Sequence, residues 1–402
     1  MSRRGSRKTS SRRTSRRATA EVKTEEKKRI KEKIEISPES KEVIEKIKRQ
    51  ANAILEGFLN NNPVIEIPIR GKSNIKFNEE SGFIEIEDKS YVSERVFNNI
   101  AHTRKFMQYI LVLDFCKRLL ETNSTSDLRD LYYSLKRSIP GSREKTFNTQ
   151  EESNPIIEDI EVSMDTWREQ LHISADPKGY IVGDVIFEQT LKNRIYEIDC
   201  NNMGTGWGIP SNVEPDILKI KEINAKYILA IESAGMYNRL VEEAYHEKNK
   251  CILVALKGQA SRGTRRLIHR IAYEENIPVY TFVDGDPWGY YIYSVLKFGS
   301  MSLSFISNKL ATPKAKFIGM TMTDIKDYGL EETTHPLSKI DLKRIDDLLE
   351  LPWFQKEEWQ RELKLMKKMQ VRIEQQALAS KALDFVATTY LPEKIKNKKF
   401  LP

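Results

Sequence analysis

The sequence is poor in the residues that make covalent or metal cross-links. Its three cysteines, Cys116, Cys200 and Cys251, stand far apart with no C-x-x-C pair. That excludes a disulfide framework and a thiolate zinc site, and fits a reducing compartment. The five histidines are equally scattered, so no imidazole metal site is visible in their spacing. Long apolar runs are missing too. The best candidate, "MQYILVLDFC", is broken by Asp114 and falls short of a membrane span. The basic N-terminus has no apolar segment behind it, so no secretory signal is expected. The expected setting is the cytoplasm, without membrane attachment. No internal repeat is evident.

Acidic residues are missing from positions 1–20, "MSRRGSRKTSSRRTSRRATA", which carry eight basic residues. These eight account for the whole net charge of +8, and the remainder of the 402-residue chain is balanced. Such a Ser/Arg segment cannot bury enough surface to fold. Two readings stand beside each other: a nonspecific arm on nucleic-acid phosphates, or a solvated extension.

Apolar content is ordinary, so the body can bury real cores, and its length allows two or three domains. A charged helical stretch at about 21–36 precedes "SPESKEVIEKIKRQANAILEGFLN", a capped amphipathic helix. "PVIEIPIR", "NIKFNE" and "GFIEIED" alternate like short strands. From Ser93 to Leu120 the pattern is helical. "NSTSD" then offers caps for a second helix at about 127–138, ending before Pro140-Gly141. Helices beside a small sheet predict a winged helix-turn-helix. Residues 143–165, with "QEESNPIIEDIE", have the composition of a polar connector. "GYIVGDVIFEQT" and "NRIYEIDC" predict a strand pair. From Lys226 onward "KYILAIE", "CILVALKG", "VYTFVDGD" and "KFIGMT" are short apolar runs, separated by helical segments at about 236–248, 263–275 and 287–299. That alternation predicts a parallel sheet covered by helices. The remaining C-terminal stretch is expected to be helical.

Glu232 ends "YILAIE", and Asp284 and Asp286 end "VYTFVDGD". In an open parallel sheet, functional groups gather at the carboxyl ends of strands. Three carboxylates converge there if the two strands are neighbours. Gly285 removes bulk between the aspartates. An all-oxygen set of this kind favours Mg²⁺, which also bridges phosphates. The competing reading makes Asp286 the cap of the helix that begins at Pro287, and leaves Asp284 and Glu232 unexplained. Two glycine motifs are discounted. "GQASRGTR" has phosphate-loop spacing but Thr264-Arg265 where Lys-Ser/Thr is needed, and "GTGWG" is followed by Ile209-Pro210 rather than a helix. Arg262 and Arg265 in the first of these remain candidates for a DNA phosphate.

In "DLRDLYYSLKR" (127–137), Leu128, Leu131, Tyr132 and Leu135 form one apolar helical face. Tyr132 therefore belongs to the core. Tyr133 is about 100° away, with Arg129 and Lys136 expected as its neighbours. A phenol between two cations is placed to meet a phosphodiester and to act as a covalent nucleophile. By spacing alone it equally fits a solvent-facing tyrosine packed on a lysine stem.

"LRDLYYSLK", "QEESNPIIEDIE", "IPSNVE", "KGQASRGTRRLIHRI", "DGDPWGYYIYSVLKFGS", "LATPKAKFIGM", "LPWFQKEEWQ" and "YLPEKI" occur in order. From about residue 45 to the C-terminus the chain resembles the A-subunit family of archaeal DNA topoisomerase VI, which includes the meiotic double-strand-break transesterase. The resemblance implies an α/β plus α+β chain. Outside the resemblance, residues 1–37 are expected from their composition to be a disordered basic tail and charged helix. Residues 38–160 carry a CAP-like winged-helix domain with the catalytic tyrosine. Residues 161–402 hold a Toprim domain, a Rossmann-like parallel sheet, with C-terminal helices. It implies that Tyr133 is the nucleophile, that Arg129 is the arginine of the tyrosine motif, and that Glu232, Asp284 and Asp286 bind Mg²⁺. It further implies a homodimer of A within a complex of two A and two B subunits, the B subunit being a GHKL-type ATPase. The implied activity is ATP-dependent type II (IIB) topoisomerase action on double-stranded DNA: a 5′-phosphotyrosyl double-strand break, strand passage and religation, associated with the nucleoid. The family usually has lysine after the Toprim glutamate, and here Ser233 stands instead. Rival readings are a recombination initiator that does not reseal, a Toprim nuclease or primase-like enzyme, and a noncatalytic DNA-binding paralogue.

Overall fold

The computed structural model describes residues 36–191 and 194–402. The basic tail and nearly all of the charged segment at 21–36 lie outside the described residues. Two large hydrophobic cores organise the rest.

The first core begins with α1 (Pro38–Leu59). Ser37 caps it, its Oγ accepting the Ser40 N–H at 3.0 Å, and Pro38 fills the first turn, where a missing N–H is harmless. β1 (Val64–Pro68) follows, then β2 (Ile75–Asn78) and β3 (Phe83–Ile86), which pair antiparallel with each other. The expected helix from Ser93 starts later. "VSERV" instead forms β4 (Val92–Val96), antiparallel to β1 with Val64 opposite Val96. The cap of α2 (Ile100–Glu121) is Asn99, which accepts the Ala101 N–H at 3.0 Å. β5 (Ser126–Asp127) leads into α3 (Leu128–Leu135). Asp127 caps α3 by accepting from Arg129 and Asp130 N–H at 2.7 and 2.6 Å. The helix stops at Leu135 rather than 138, because Lys136 turns extended and Ser138 bridges back to Lys145.

The stretch expected as a polar connector is α4 (Ser153–Met164), a buried helix. Ile156, Ile157 and Ile160 enter the first core. Its acids are buried because they are paired: Asp159 with Arg70 and Arg95, Glu161 with Arg262. Charge made the stretch look solvated, yet every third or fourth position is apolar. β6 (Ile173–Ser174) pairs parallel with β5.

The second core starts with β7 (Tyr180–Val182), β8 (Val185–Leu191), β9 (Arg194–Asp199), β10 (Trp207–Gly208) and β11 (Leu218–Ile223). The expected strand pair is β8 with β9, and β11 pairs on the other side of β8. β7 separates from β8 at Gly183, whose φ is +134° and whose Cβ would stand 2.5 Å from the Cys251 carbonyl oxygen. Only glycine fits that backbone approach. The alternating region then runs β12 (Ile228–Ile231), α5 (Ala234–Glu242), α6 (Tyr245–Asn249), β13 (Ile252–Ala255), α7 (Arg262–Glu274), β14 (Val279–Phe282), α8 (Pro287–Phe298), α9 (Ser307–Leu310), β15 (Lys316–Gly319) and α10 (Met322–Asp327). The sheet order is β10-β7-β13-β12-β14-β15, and β13, β12, β14 and β15 are mutually parallel. Every residue of β12 and β13 is buried, as expected of central parallel strands.

The C-terminal stretch is not helical throughout. β16 (His335–Pro336), α11 (Lys339–Glu350) and α12 (Glu357–Met369) lead to β17 (Val371–Arg372), which pairs antiparallel with β16; α13 (Leu391–Lys396) comes near the end. Trp359 anchors this region among Tyr290, Tyr293, Phe317 and Phe354, with ring centroids 5.1–5.4 Å away. The hairpin of β2 and β3 also docks here: Ile84 is buried in the second core and Phe77 packs edge-on against Phe298. No helix among the described residues is long and apolar enough to cross a membrane. The three cysteines are free and buried.

Candidate active site

β12 and β14 are hydrogen-bonded neighbours with Ile231 opposite Phe282. The residues that follow them therefore emerge side by side at the carboxyl edge of the sheet. Glu232 N–H donates to the Phe282 carbonyl at 3.0 Å, and Asp284 N–H donates to Glu232 Oε2 at 3.1 Å. Burial pushes the Glu232 carboxyl up to about 8, and the Asp284 charge adds to it. Burial pushes Asp284 up to about 6, against the Gln375 N–H that favours its ionised form. Asp286 is raised by burial, opposed by the Gly289 N–H. Its Oδ1 accepts that N–H at 2.6 Å and caps α8. The capping role of Asp286 is thus present together with the acidic cluster.

Among the described residues no three such side chains close into a metal cage. The structure brings Glu232 and Asp284 together and leaves Asp286 within electrostatic reach of both, on its cap. The donor chemistry nonetheless fits a divalent cation. Burial raises both carboxyls, and the Asp284 and Asp286 charges push Glu232 up further, a repulsion that bound positive charge removes. Their oxygens suit a hard ion, and Asp286 keeps Oδ2 outside its cap.

A segment more than eighty residues downstream completes this edge. Gly285 and Ile373 exchange backbone hydrogen bonds at 2.8 and 3.1 Å. A Cβ on Gly285 would stand 2.7 Å from Ile373 Cγ2, so the glycine admits the segment. Gln375 is fully buried. Its N–H donates to Asp284 Oδ1 at 2.8 Å, its Nε2 donates to the Phe282 carbonyl at 2.8 Å, and its Oε1 accepts from Ser233 N–H at 3.2 Å. Ser233 caps α5, and its Oγ also accepts from Gln376 Nε2 at 2.5 Å. Arg372 lies beside the aspartates, NH1 3.9 Å from Asp286 Oδ2. Sequence reading missed Arg372, Gln375 and Gln376. The stretch was expected as helix, and no local periodicity marks a tertiary clasp.

On α3 the two tyrosines diverge as the helical wheel predicts. Tyr132 is 7% exposed, and its hydroxyl donates to the Asn148 carbonyl at 2.8 Å. Tyr133 is 60% exposed. Arg129 is exposed one turn before it. Lys136 departs from its expected place. It donates to the Tyr132 hydroxyl at 2.7 Å, which raises its own pKa, because the helix has already ended and its backbone is extended. Tyr133 belongs to the first-core unit and the carboxylates to the second core.

The arginines offered for DNA phosphate face inward. Arg262, 12% exposed, donates to Glu161 at 2.6 Å and to Glu158 at 3.5 Å. Arg265 is 5% exposed, and burial lowers its pKa to about 10, with the Arg262 charge adding. Both expectations are corrected: α7 turns Arg262 toward α4 and Arg265 into the interior instead of solvent. The loop before α7 is also committed internally, Ser261 Oγ accepting the Thr264 N–H at 3.1 Å.

Comparison with known proteins adds an independent line. Residues 227–395 match the Toprim-domain family of the topoisomerase 6 A-subunit/Spo11 proteins, and residues 104–173 match the family described as "Type IIB DNA topoisomerase". The A-subunit of type 2 DNA topoisomerase 6 from Pyrococcus horikoshii is 48% identical over 387 residues, covering 93% of this chain and 99% of the relative. Proteins of the same name from Methanocaldococcus jannaschii and Haloarcula marismortui are 40% and 39% identical, covering 89% and 83% of this chain and 94% and 89% of those relatives.

Proposed function

This chain belongs to the family of type IIB DNA topoisomerase VI A-subunits, and from that membership we propose how it cleaves DNA. The exposed Tyr133 phenol attacks a backbone phosphorus, its proton passing to the solvent that reaches the ring. The bond to the 3′ oxygen breaks and that oxygen takes a proton from solvent, leaving a 5′-phosphotyrosyl linkage and a free 3′ hydroxyl. Attack by that hydroxyl reverses the step without ATP, since the linkage energy is kept. Arg129 stands one helical turn from Tyr133 to hold the phosphate. Lys136 fixes Tyr132 and so the helix that presents Tyr133. Glu232, Asp284 and Asp286 would hold the divalent ion, Mg²⁺ in this reading, which offsets charge gathering on the phosphate.

The observation that carries the proposal is the division of roles between adjacent tyrosines: one hydroxyl is committed to the fold, the other is exposed and has no partner among the described residues. Because Tyr133 and the carboxylates belong to different cores, the reading places two copies together, each tyrosine acting on DNA held by the partner's acidic edge. The first-core unit serves as the CAP-like winged-helix element. A GHKL-type B subunit supplies ATP hydrolysis, two A with two B subunits, working on the nucleoid. The test is adduct trapping on double-stranded DNA with the B subunit, Mg²⁺ and ATP. Tyr133→Phe abolishes the covalent adduct and Tyr132→Phe retains it. The reverse pattern overturns the assignment.

A further inference from the structure

Arg372 has no role in the mechanism above, yet it is the cation held against the acidic edge. Its backbone is fixed on both sides. Arg372 pairs with His335 across β16 and β17, and the next residue is locked to Gly285. Further along, Gln375 N–H grips Asp284. The guanidinium charge acts on Asp284, Asp286 and Asp341. Its closest carboxylate approach is 3.9 Å, beyond hydrogen-bond reach. Its Nε–H is buried with no acceptor among the described residues. The side chain as a whole is 36% exposed. A purely structural arginine at a carboxylate would form the short, bidentate pairs that Arg266 makes with Glu214 at 2.7 and 2.9 Å.

An acidic edge also repels the substrate. A DNA phosphate nearing Glu232, Asp284 and Asp286 meets charge of its own sign, and the residue after Glu232 is a serine committed to capping α5. We propose that Arg372 is the substrate-phosphate-binding residue of the acidic site, its terminal NH1 and NH2 groups taking the nonbridging oxygens of the backbone phosphate lying at that edge. Guanidinium geometry suits this, because its planar fork matches two phosphate oxygens. The inference rests on the topoisomerase reading for the identity of the phosphate.

The experiment compares wild type, Arg372→Ala and Arg372→Lys, each full-length and in complex with its B subunit. Duplex affinity is measured across a salt series, adduct formation against DNA concentration, and Mn²⁺ binding without DNA by electron paramagnetic resonance. For Arg372→Ala the slope of log affinity against log salt falls by about 0.9 for each phosphate no longer neutralised. The DNA concentration for half-maximal adduct rises on the order of tenfold, as for loss of a charge-assisted bond. Mn²⁺ binding is unchanged or tighter, since a positive charge has left the site. Arg372→Lys restores the salt slope and only part of the affinity. An unchanged salt slope, or weaker Mn²⁺ binding by the alanine variant, makes Arg372 a structural counter-ion and overturns the proposal. If wild type forms no adduct, the cleavage reading fails, while the salt slope still decides the role of Arg372.

Discussion

Tyr132 and Tyr133 show how one step along a helix changes the use of a side chain. The Tyr132 ring lies in the core, under Lys136 at 5.0 Å, and 5.1 Å from the Tyr133 ring. Tyr132→Phe removes a hydroxyl engaged by Asn148 and Lys136. We expect it to lower unfolding stability by about 1 kcal/mol, read from urea melts, while adduct formation persists. The acidic edge gives a pH prediction. Glu232 is raised from 4.5 to about 8 and Asp284 from 3.8 to about 6. Raised values mean that the fold favours the protonated forms. Their contribution is present below the ordinary carboxylate range and is lost as pH rises through 6 and then 8. Without divalent ions, the melting temperature of Glu232→Gln should therefore fall less than that of wild type between pH 5 and 8. Parallel curves would contradict the shift.

At the scale of elements, α4 is the hinge of the argument. It packs on α2 and β1 and sends Glu161 and Glu158 to Arg262 on α7. The pair with Glu161 is buried, Glu161 being 0% exposed. Breaking such a pair leaves an unpaired buried charge, which typically costs about 3–5 kcal/mol. Arg262→Ala should destabilise the protein on that scale in denaturant melts. Arg262→Ala with Glu161→Gln should recover part of the loss, because the stranded carboxylate is gone. The same pairing explains why Arg262 faces inward: α4 supplies acids where a solvent-facing loop would supply none. The segment at 371–376 is the other decisive element, since it fixes both acidic loops through Gln375.

For the whole molecule, the two cores are joined by more than the chain. The hairpin of β2 and β3 comes early in sequence but buries Ile84 in the second core and sets Phe77 against Phe298 and Trp353. Ile84→Ala should therefore cost about 2–5 kcal/mol and loosen the C-terminal core, seen as faster amide exchange in α8. The net charge has a different address. All of the +8 is carried by positions 1–20. Deleting them should weaken duplex binding at low salt and flatten its salt dependence without changing adduct position. An unchanged salt slope would favour a solvated extension.

Local physics was enough for much of this protein. Apolar periodicity marked α3 and separated its two tyrosines, and cap residues marked the starts of α1 and α3. The alternation of short apolar runs with helices marked the parallel strands and set Glu232, Asp284 and Asp286 at their ends. Each of these depends on neighbours within a few residues. What only the tertiary structure decided depends on distant partners. Whether Glu161 is solvated or buried turns on Arg262, about a hundred residues away. Whether Lys136 serves Tyr133 or Tyr132 turns on where the helix stops. Whether the acidic edge has a cation turns on β17, which reaches Asp286 only because Gly285 leaves room for Ile373. Composition and spacing fix which groups exist, and packing fixes which of them remain free to act.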